Sequence, residues 1–302
     1  IKDHFEVVRK HFFVTDECFA RAFYRRLNAV TNNDLINLDS QSACNAFADA
    51  IASCSSFPKN LKGDSRLEAT CGIMEKGGTI LPSPRDAGGY PSVRLQYTTS
   101  LPVSLVFSKS ALRRYNHVFE FVWQVVFIDF RLSEVMEVHD RIHKLAYSKW
   151  RDLLVLCRLF SAVFVRMAYF TSILRRYINA VIERCTSKFA VQFDSSSGGG
   201  LVQLIESHRA YLIAVEDSVF LLENWESVHT TILATLEAIK DGIANYRKFE
   251  SEFNKIYSSK SLLSIMHHEM SNDEAHGTRN FEMVEKQIDL ELKLNSLSND
   301  YR

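Results

Sequence analysis

Residues 93–132 read V-R-L-Q-Y-T-T-S-L-P-V-S-L-V-F-S-K-S-A-L-R-R-Y-N-H-V-F-E-F-V-W-Q-V-V-F-I-D-F-R-L. Apolar and polar residues alternate at 93–97 and again at 103–107, which predicts two short strands. Because Pro102 lies between these strands, we expect them to pair as a small hairpin that turns at this proline. Ser108 follows the second strand and is a typical N-cap residue, so a long helix should begin directly after it.

The residues beyond this stretch contain almost nothing that would interrupt a helix. All five prolines lie at or before Pro102, and only five of the eleven glycines follow it. Apolar residues recur there every three or four positions, which is typical of helices that bury one face. We predict long helices at 109–150, 152–189, 201–223 and 228–257, after shorter helices at 4–13, at 16–30 and from about residue 40.

The sequence predicts an all-α fold: an elongated helical bundle with a small β-hairpin and a long loop in its N-terminal third. One helical domain would span residues 1–257. Within it, residues 55–92 carry four prolines and six glycines and should form an irregular loop, with one strand near 67–73, before the hairpin at 93–107. Residues 258–302 are polar and should form a partly helical tail with an amphipathic segment at 281–294.

The composition narrows the classes of partner. Lys and Arg total 36 and so do Asp and Glu, so no net charge attracts nucleic acid or an acidic membrane surface. The apolar window 118–130 contains Glu120, Gln124 and Asp129, which disfavours a membrane span. The six cysteines form no C-x-x-C pair, and we interpret them as free thiols in a reducing compartment. We therefore expect an intracellular protein that binds neither nucleic acid nor membrane.

Residue patterns that could indicate catalysis or metal binding are weak. His139 and His143 have the i, i+4 spacing of a zinc site, but no glutamate follows the first histidine and no third ligand is evident. The S-S-S-G-G-G run at 195–200 lacks the lysine of a phosphate loop, and we interpret it as a linker between helices. We expect no metal, no cofactor and no enzymatic activity.

The helix that begins at Lys109 carries one polar stripe on an otherwise apolar surface. The stripe comprises Arg113, His117, Glu120, Gln124, Arg131 and Glu134, and Phe127 lies within it. Two interpretations of Phe127 stay open: a neighbouring helix covers it, or it anchors a protein partner, as an aromatic residue ringed by charge often does.

The next helix shows one apolar and one basic set of residues. Its apolar residues at three- and four-residue spacing should face the core: Leu153, Leu156, Phe160, Val163, Met167, Phe170, Leu174, Tyr177 and Val181. Two interpretations stay open for four of its arginines: they are solvated, or they form a basic face beside the polar stripe. These are Arg158, Arg166, Arg175 and Arg176.

Four segments, in order, resemble the gamma-tubulin complex proteins (the Spc/Grip family). The first is H-F-E-V-V-R-K-H-F-F-V-T-D-E-C-F-A-R-A-F from His4. The second is Leu101-Pro102 and Ser104–Ser108 followed by Leu112, Tyr115, Phe119 and Leu132. The third is Arg166, Met167, Phe170, Leu174 and Tyr177, and the fourth is Leu204, Ser207-His208 and Tyr211-Leu212. Together they cover about residues 1–240. The chain departs from the family pattern at Arg176, where a tyrosine is usual, and lacks a tryptophan near 183–189.

The resemblance implies the C-terminal, gamma-tubulin-binding domain of such a protein, without the N-terminal half that makes lateral contacts. It implies a scaffold that binds gamma-tubulin and, with other gamma-tubulin complex proteins in a ring or spiral, templates microtubule nucleation. The implied location is the cytoplasm and cytoskeleton, at a microtubule organising centre such as a centrosome or spindle pole body. The alternative is a helical tethering or adaptor subunit of another complex. On the gamma-tubulin interpretation we expect the binding surface to include Ser108, Lys109, Arg113, His117, Phe127 and Arg131, with Arg166, Arg175 and Arg176.

Overall fold

A computed structural model describes residues 1–31, 40–54, 65–71, 73–74, 80–81, 93–149, 151–195 and 200–270. The helices are α1 (Lys2–Phe12), α2 (Glu17–Thr31), α3 (Ser40–Cys54), α4 (Val103–Val106), α5 (Lys109–Lys149), α6 (Arg151–Ser195), α7 (Gly200–Ser218) and α8 (Glu226–Met270). The strands are β1 (Ser65–Cys71), β2 (Ile73–Met74), β3 (Ile80–Leu81) and β4 (Val93–Thr99). The predicted linker at 195–200 begins at the last residue of α6 and ends at the first residue of α7, and its residues 196–199 lie outside the described residues, as does the amphipathic segment at 281–294.

The predicted all-α class with a small antiparallel sheet in the N-terminal third is confirmed. The helices begin where the sequence provides caps: Asp16 Oδ1 accepts a hydrogen bond from the Phe19 amide at 3.2 Å, and Ser108 Oγ accepts one from the Ala111 amide at 3.3 Å. The last helix, α8, extends past residue 257, where we placed the start of the polar tail. That domain boundary stays a prediction.

The pairing predicted for the hairpin at 93–107 is wrong. Strand β4 pairs with β1, from the segment expected to be an irregular loop, with Leu67 opposite Tyr97. Residues 103–106 form the short helix α4, in which the Phe107 amide donates to the Val103 carbonyl at 3.2 Å. The reason lies in the burial pattern: side chains alternate between buried and more exposed along β4, whereas the consecutive residues Val106 and Phe107 are both buried, which suits a helical turn.

The chain divides into two compact units. Unit 1 comprises residues 1–130 and 171–237, and unit 2 comprises residues 131–170 and 238–302. Helices α5, α6 and α8 each contribute residues to both units. The N-terminal helices, the β1–β4 sheet, α4 and α7 all belong to unit 1.

The core of unit 1 is aromatic and contains buried polar pairs, among them His4 with Tyr97 and Tyr115 with His208. The Tyr115 hydroxyl on α5 and His208 Nε2 on α7 are 2.9 Å apart, and both residues are buried. The ring of Phe5 lies 5.0 Å from those of both Phe107 and His208, and Phe12 lies 5.3 Å from Tyr115. The first, second and fourth family-like segments of the sequence therefore meet in one core.

Unit 2 has its own aromatic core on α5, α6 and α8. His139 is buried there, with Nδ1 3.1 Å from the Tyr246 hydroxyl and Nε2 2.8 Å from Ser161 Oγ. The rings of Phe160 and Phe164 pack on Tyr246 with centroids 5.1 and 4.9 Å away. Because both ring nitrogens of His139 bond to side chains of α6 and α8, this residue links three helices in the core of unit 2.

Replacing Tyr115 by Phe should destabilise the protein by about 2 kcal/mol, because it leaves His208 Nε2 buried without its partner. Urea denaturation followed by circular dichroism measures this change. The matched control is Tyr147→Phe on the same helix, where the side chain is 73% exposed and the change should stay within about 0.5 kcal/mol. Equal effects of the two substitutions would contradict the assigned role of the Tyr115–His208 pair.

Burial lowers the pKa of His208 from 6.5 to about 4. In the unfolded chain His208 therefore takes up a proton at a higher pH than in the folded chain. Well above pH 6.5 the residue is neutral in both states, so its titration does not change the free energy of unfolding there. Stability should fall as the pH drops from about 6.5 towards about 4. Denaturation midpoints across this range should decline less steeply for His208→Gln than for the unchanged protein, and identical slopes would exclude His208 as a source of the decline.

Candidate functional site

Four of the predicted site residues lie together at the start of α5 in unit 1. Ser108 caps the helix, and Lys109, Arg113 and His117 follow at intervals of four residues on one helix face. All four are exposed. We call them the α5 N-terminal surface; it carries two permanent positive charges, on Lys109 and Arg113.

A buried carboxylate holds this surface in place. Glu216 on α7 is 4% exposed, and its carboxylate accepts hydrogen bonds from the Arg114 guanidinium and, at 3.2 Å, from His117 Nδ1. Buried charges are usually paired, because an unpaired one would cost several kcal/mol. Sequence reasoning missed Glu216, whose only signal is a glutamate in an otherwise apolar part of α7. The pair of contacts fixes the start of α5 against α7.

His229, near the start of α8, adds a titratable group beside this cluster. Burial, and to a lesser degree the neighbouring His117, lower its pKa below the usual range. Its ring also packs on Phe121 of α5, with centroids 5.3 Å apart. The first turns of α5 are therefore supported by side chains of both α7 and α8.

Phe127 does not belong to an exposed surface. It is 2% exposed and packs against Tyr24 of α2 and Trp123, with ring centroids 5.2 and 6.0 Å away. Of the two interpretations that the sequence left open, coverage by a neighbouring helix is the one that the structure supports. Phe127 is therefore removed from the candidate binding surface. Arg131 is half-buried and belongs to unit 2.

The arginines predicted on α6 have different environments. Arg175 bonds to Asp129 at 2.8 Å and to Glu17, and its guanidinium lies 5.2 Å from the ring centre of Phe130. It joins α6 to α2 and α5 inside unit 1, so it is removed from the binding surface. Arg176 is exposed in unit 1, where it donates to Ser172 Oγ at 3.1 Å, and Arg166 is exposed in unit 2.

The apolar stripe predicted for α6 only partly faces a core. Leu153, Leu156, Leu174 and Val181 are buried, but Val163 and Tyr177 are exposed. A 3.6-residue periodicity shows which residues share a helix face. It does not show whether another element covers that face, or whether further apolar residues lie on other faces of the same helix.

A second set of apolar side chains on α6 is exposed to solvent. In unit 2 it comprises Val155, Leu159, Val165 and Tyr169, the last 69% exposed, together with Val163 from the predicted stripe. Their spacing places them within one broad helix face, which we call the α6 apolar face. Sequence reasoning predicted only Val163 of this face, and as a core residue, because the helix is apolar on both sides. Exposed apolar side chains occur at many protein association sites, and the exposed Arg166 lies among those of this face.

The same apolar character makes α6 long and hydrophobic enough to span a membrane by length and composition. The segment Leu153–Phe193 contains an 18-residue window of mean hydropathy 1.8, of which 22% is buried. Among the described residues this segment, and not the window 118–130, meets that criterion. Single core helices of water-soluble proteins meet it as well, so it does not by itself indicate a membrane protein.

An exposed aromatic group lies where α7 ends in unit 1. The rings of Tyr177 and Phe220 stack with centroids 5.3 Å apart, and Trp225 packs edge-on against Phe220 at 5.5 Å. Trp225 Nε1 donates to Asp217 at 2.9 Å, and the Tyr177 hydroxyl donates to the Ser218 carbonyl at 3.0 Å. These bonds fix an aromatic turn whose rings remain accessible.

Unit 1 also contains a cavity of about 310 Å³. It is lined mainly by Phe5, Phe189 and Phe193, and the Arg9–Glu183 ion pair at 2.9 Å lies at its side. In the described ranges, no group of three or more His, Cys, Asp or Glu side chains could hold a metal ion.

The chain is similar to known proteins over almost its whole length. The family described as "Gamma tubulin complex component C-terminal" matches residues 1–301. A curated relative, Gamma-tubulin complex component 3 of Arabidopsis thaliana, is 23% identical over 194 residues, which is 62% of this chain. The matched region spans 22% of the length of that relative.

Substitutions at Phe127 and Arg113 test whether the first side chain lies in the core and the second on the surface, because the two changes should have different effects on the free energy of unfolding. Phe127→Ala should destabilise the protein by about 3–4 kcal/mol, because it opens a cavity between α2 and α5. Arg113→Ala should change stability by no more than about 0.5 kcal/mol, since the side chain is exposed. Urea denaturation measures both. A small effect at Phe127 would show that its ring is not packed as described.

Proposed function

The chain belongs to the gamma tubulin complex component family, and from this premise we propose that it binds gamma-tubulin as a scaffold in microtubule nucleation. The observation that carries the proposal is the family match over residues 1–301. The alternative of a tethering or adaptor subunit of another complex has no comparable support. Since the matched region is 22% of the length of the plant relative, the work of a whole component is part of the proposal.

The α5 N-terminal surface is the proposed contact for gamma-tubulin. Lys109 and Arg113 are exposed cations on a helix whose start is fixed by Glu216 through Arg114 and His117. A rigid, charged surface of this kind loses little conformational entropy on binding and favours a partner with a complementary acidic surface. Arg176 is exposed on α6 of the same unit and extends the set of cations that we assign to this role.

The proposed work is positional. A nucleation template lowers the cost of assembling a nucleus by holding subunits at the correct spacing, and this requires rigid elements rather than reactive groups. Helices of 41 and 45 residues, α5 and α6, provide such elements. The α6 apolar face supports the association with other gamma-tubulin complex components that a ring or spiral needs. Such an assembly would act in the cytoskeleton, at microtubule organising centres.

Charge reversal at the α5 N-terminal surface tests the proposal. Lys109→Glu with Arg113→Glu should weaken the binding of purified gamma-tubulin at least tenfold, because two attractive charges become repulsive. Titration of the chain with labelled gamma-tubulin, followed by fluorescence anisotropy, measures the dissociation constant. The binding of the unchanged chain should also weaken as the salt concentration rises.

The matched control reverses two exposed cations farther along the same helix, Arg141→Glu with Lys144→Glu. This variant should bind as the unchanged chain does, and both variants should keep native helicity by circular dichroism. Equal binding by all three would exclude the α5 N-terminal surface. No binding by the unchanged chain at micromolar concentration would contradict the proposed function itself.

A further inference from the structure

Two thiols meet where the start of α2 approaches the end of α3. Cys18 lies in the first turn of α2 and Cys54 is the last residue of α3, and their Sγ atoms are 2.6 Å apart. This separation is closer to the roughly 2.05 Å of a disulfide bond than to an ordinary contact between sulfur atoms. The two thiols are therefore already placed for bond formation.

Packing between α2 and α3 holds the thiols in this position. The ring of Phe47 on α3 lies edge-on against Phe19 and Phe23 of α2, with centroids 5.4 and 5.3 Å away. Arg26 and Asp49 form an ion pair between the same helices at 3.3 Å. Because these contacts already fix the two helices, closing the remaining gap between the sulfur atoms needs little backbone movement.

The two sulfur atoms differ in access to solvent. Cys18 is exposed and Cys54 is half-buried, whereas Cys157 and Cys185 are buried. Burial, with a hydrogen bond from Cys18, raises the pKa of Cys54 to about 11, so at neutral pH this residue is a protonated thiol. A small oxidant in solution therefore meets Cys18 first.

We propose that Cys18 and Cys54 are a redox-sensitive pair that a low-molecular-weight disulfide, such as oxidised glutathione, converts reversibly into a disulfide. The Cys18 thiolate attacks the oxidant, forms a mixed disulfide and releases one glutathione thiolate. Cys54 then gives its proton to water or buffer and attacks Cys18 Sγ, which releases the second glutathione. The two protein thiols are oxidised and one glutathione disulfide is reduced to two thiols.

The disulfide would fix the end of α3 to the start of α2 in unit 1. Glu17, next to Cys18, forms ion pairs with Arg175 on α6 and, at 3.1 Å, with Arg21. Arg175 also pairs with Asp129 of α5. The cross-link would therefore restrict the start of α2, which Glu17 and Arg175 connect to α6 and α5. This inference does not depend on gamma-tubulin binding.

Oxidation of the full chain with oxidised glutathione tests the proposal. The intact mass should fall by about 2 Da for the two hydrogens removed, and a peptide map without reductant should join Cys18 to Cys54. The thermal midpoint should rise by roughly 5–10 °C, because the cross-link restricts the unfolded chain, and reductant should reverse the change. Cys44→Ser is the matched control, since Cys44 lies on α3 outside the pair and its loss should leave the cross-link unchanged.

Cys18→Ser and Cys54→Ser should each abolish both the loss of mass and the rise in thermal midpoint. When the chain is unfolded in guanidinium and oxidised in the same way, disulfides should no longer form preferentially between Cys18 and Cys54. The proposal fails if Cys18 and Cys54 remain open to alkylation after oxidation of the folded chain. It also fails if Cys44 replaces one of them in the cross-link, or if unfolded chain gives the same products.

Discussion

The hydrogen bond between Tyr115 and His208 is the constraint on which unit 1 depends. A polar pair buried among aromatic rings is stable only when each partner satisfies the other, and burial keeps His208 neutral by lowering its pKa to about 4. The bond joins α5 to α7 across 93 residues of sequence, and Phe5 and Phe107 pack around it. Arg113 and His117 of the α5 N-terminal surface lie two residues before and after Tyr115, and Lys109 lies earlier on the same helix. The geometry of the candidate site therefore follows from the packing of this core.

Much of the fold could be predicted from local signals. The absence of proline and the 3.6-residue spacing of apolar residues gave the long helices, and Asp16 and Ser108 gave two of their starts. The partner of strand β4 could not be predicted in the same way. Its edge is satisfied by β1, which lies before a segment rich in glycine and proline, and alternation within a strand carries no information about which distant segment pairs with it.

The candidate site was predictable in part, for a related physical reason. Periodicity shows which residues share a helix face, but not whether another element covers that face. The exposed residues Arg113 and His117 could therefore be found from the polar stripe, whereas Phe127 is buried beneath α2 and Arg175 is paired with Asp129. Glu216 was missed because its partners come from α5, and no sequence pattern links them.

We propose that this family member places a partner rather than transforms it. Our main proposal is that gamma-tubulin docks on the start of α5, and hydrogen–deuterium exchange of the chain with and without gamma-tubulin tests this most directly. We predict slower exchange in peptides covering residues 108–120, with peptides covering 138–147 of the same helix unchanged. Binding of gamma-tubulin that leaves residues 108–120 unprotected, or that protects only other regions, would contradict it.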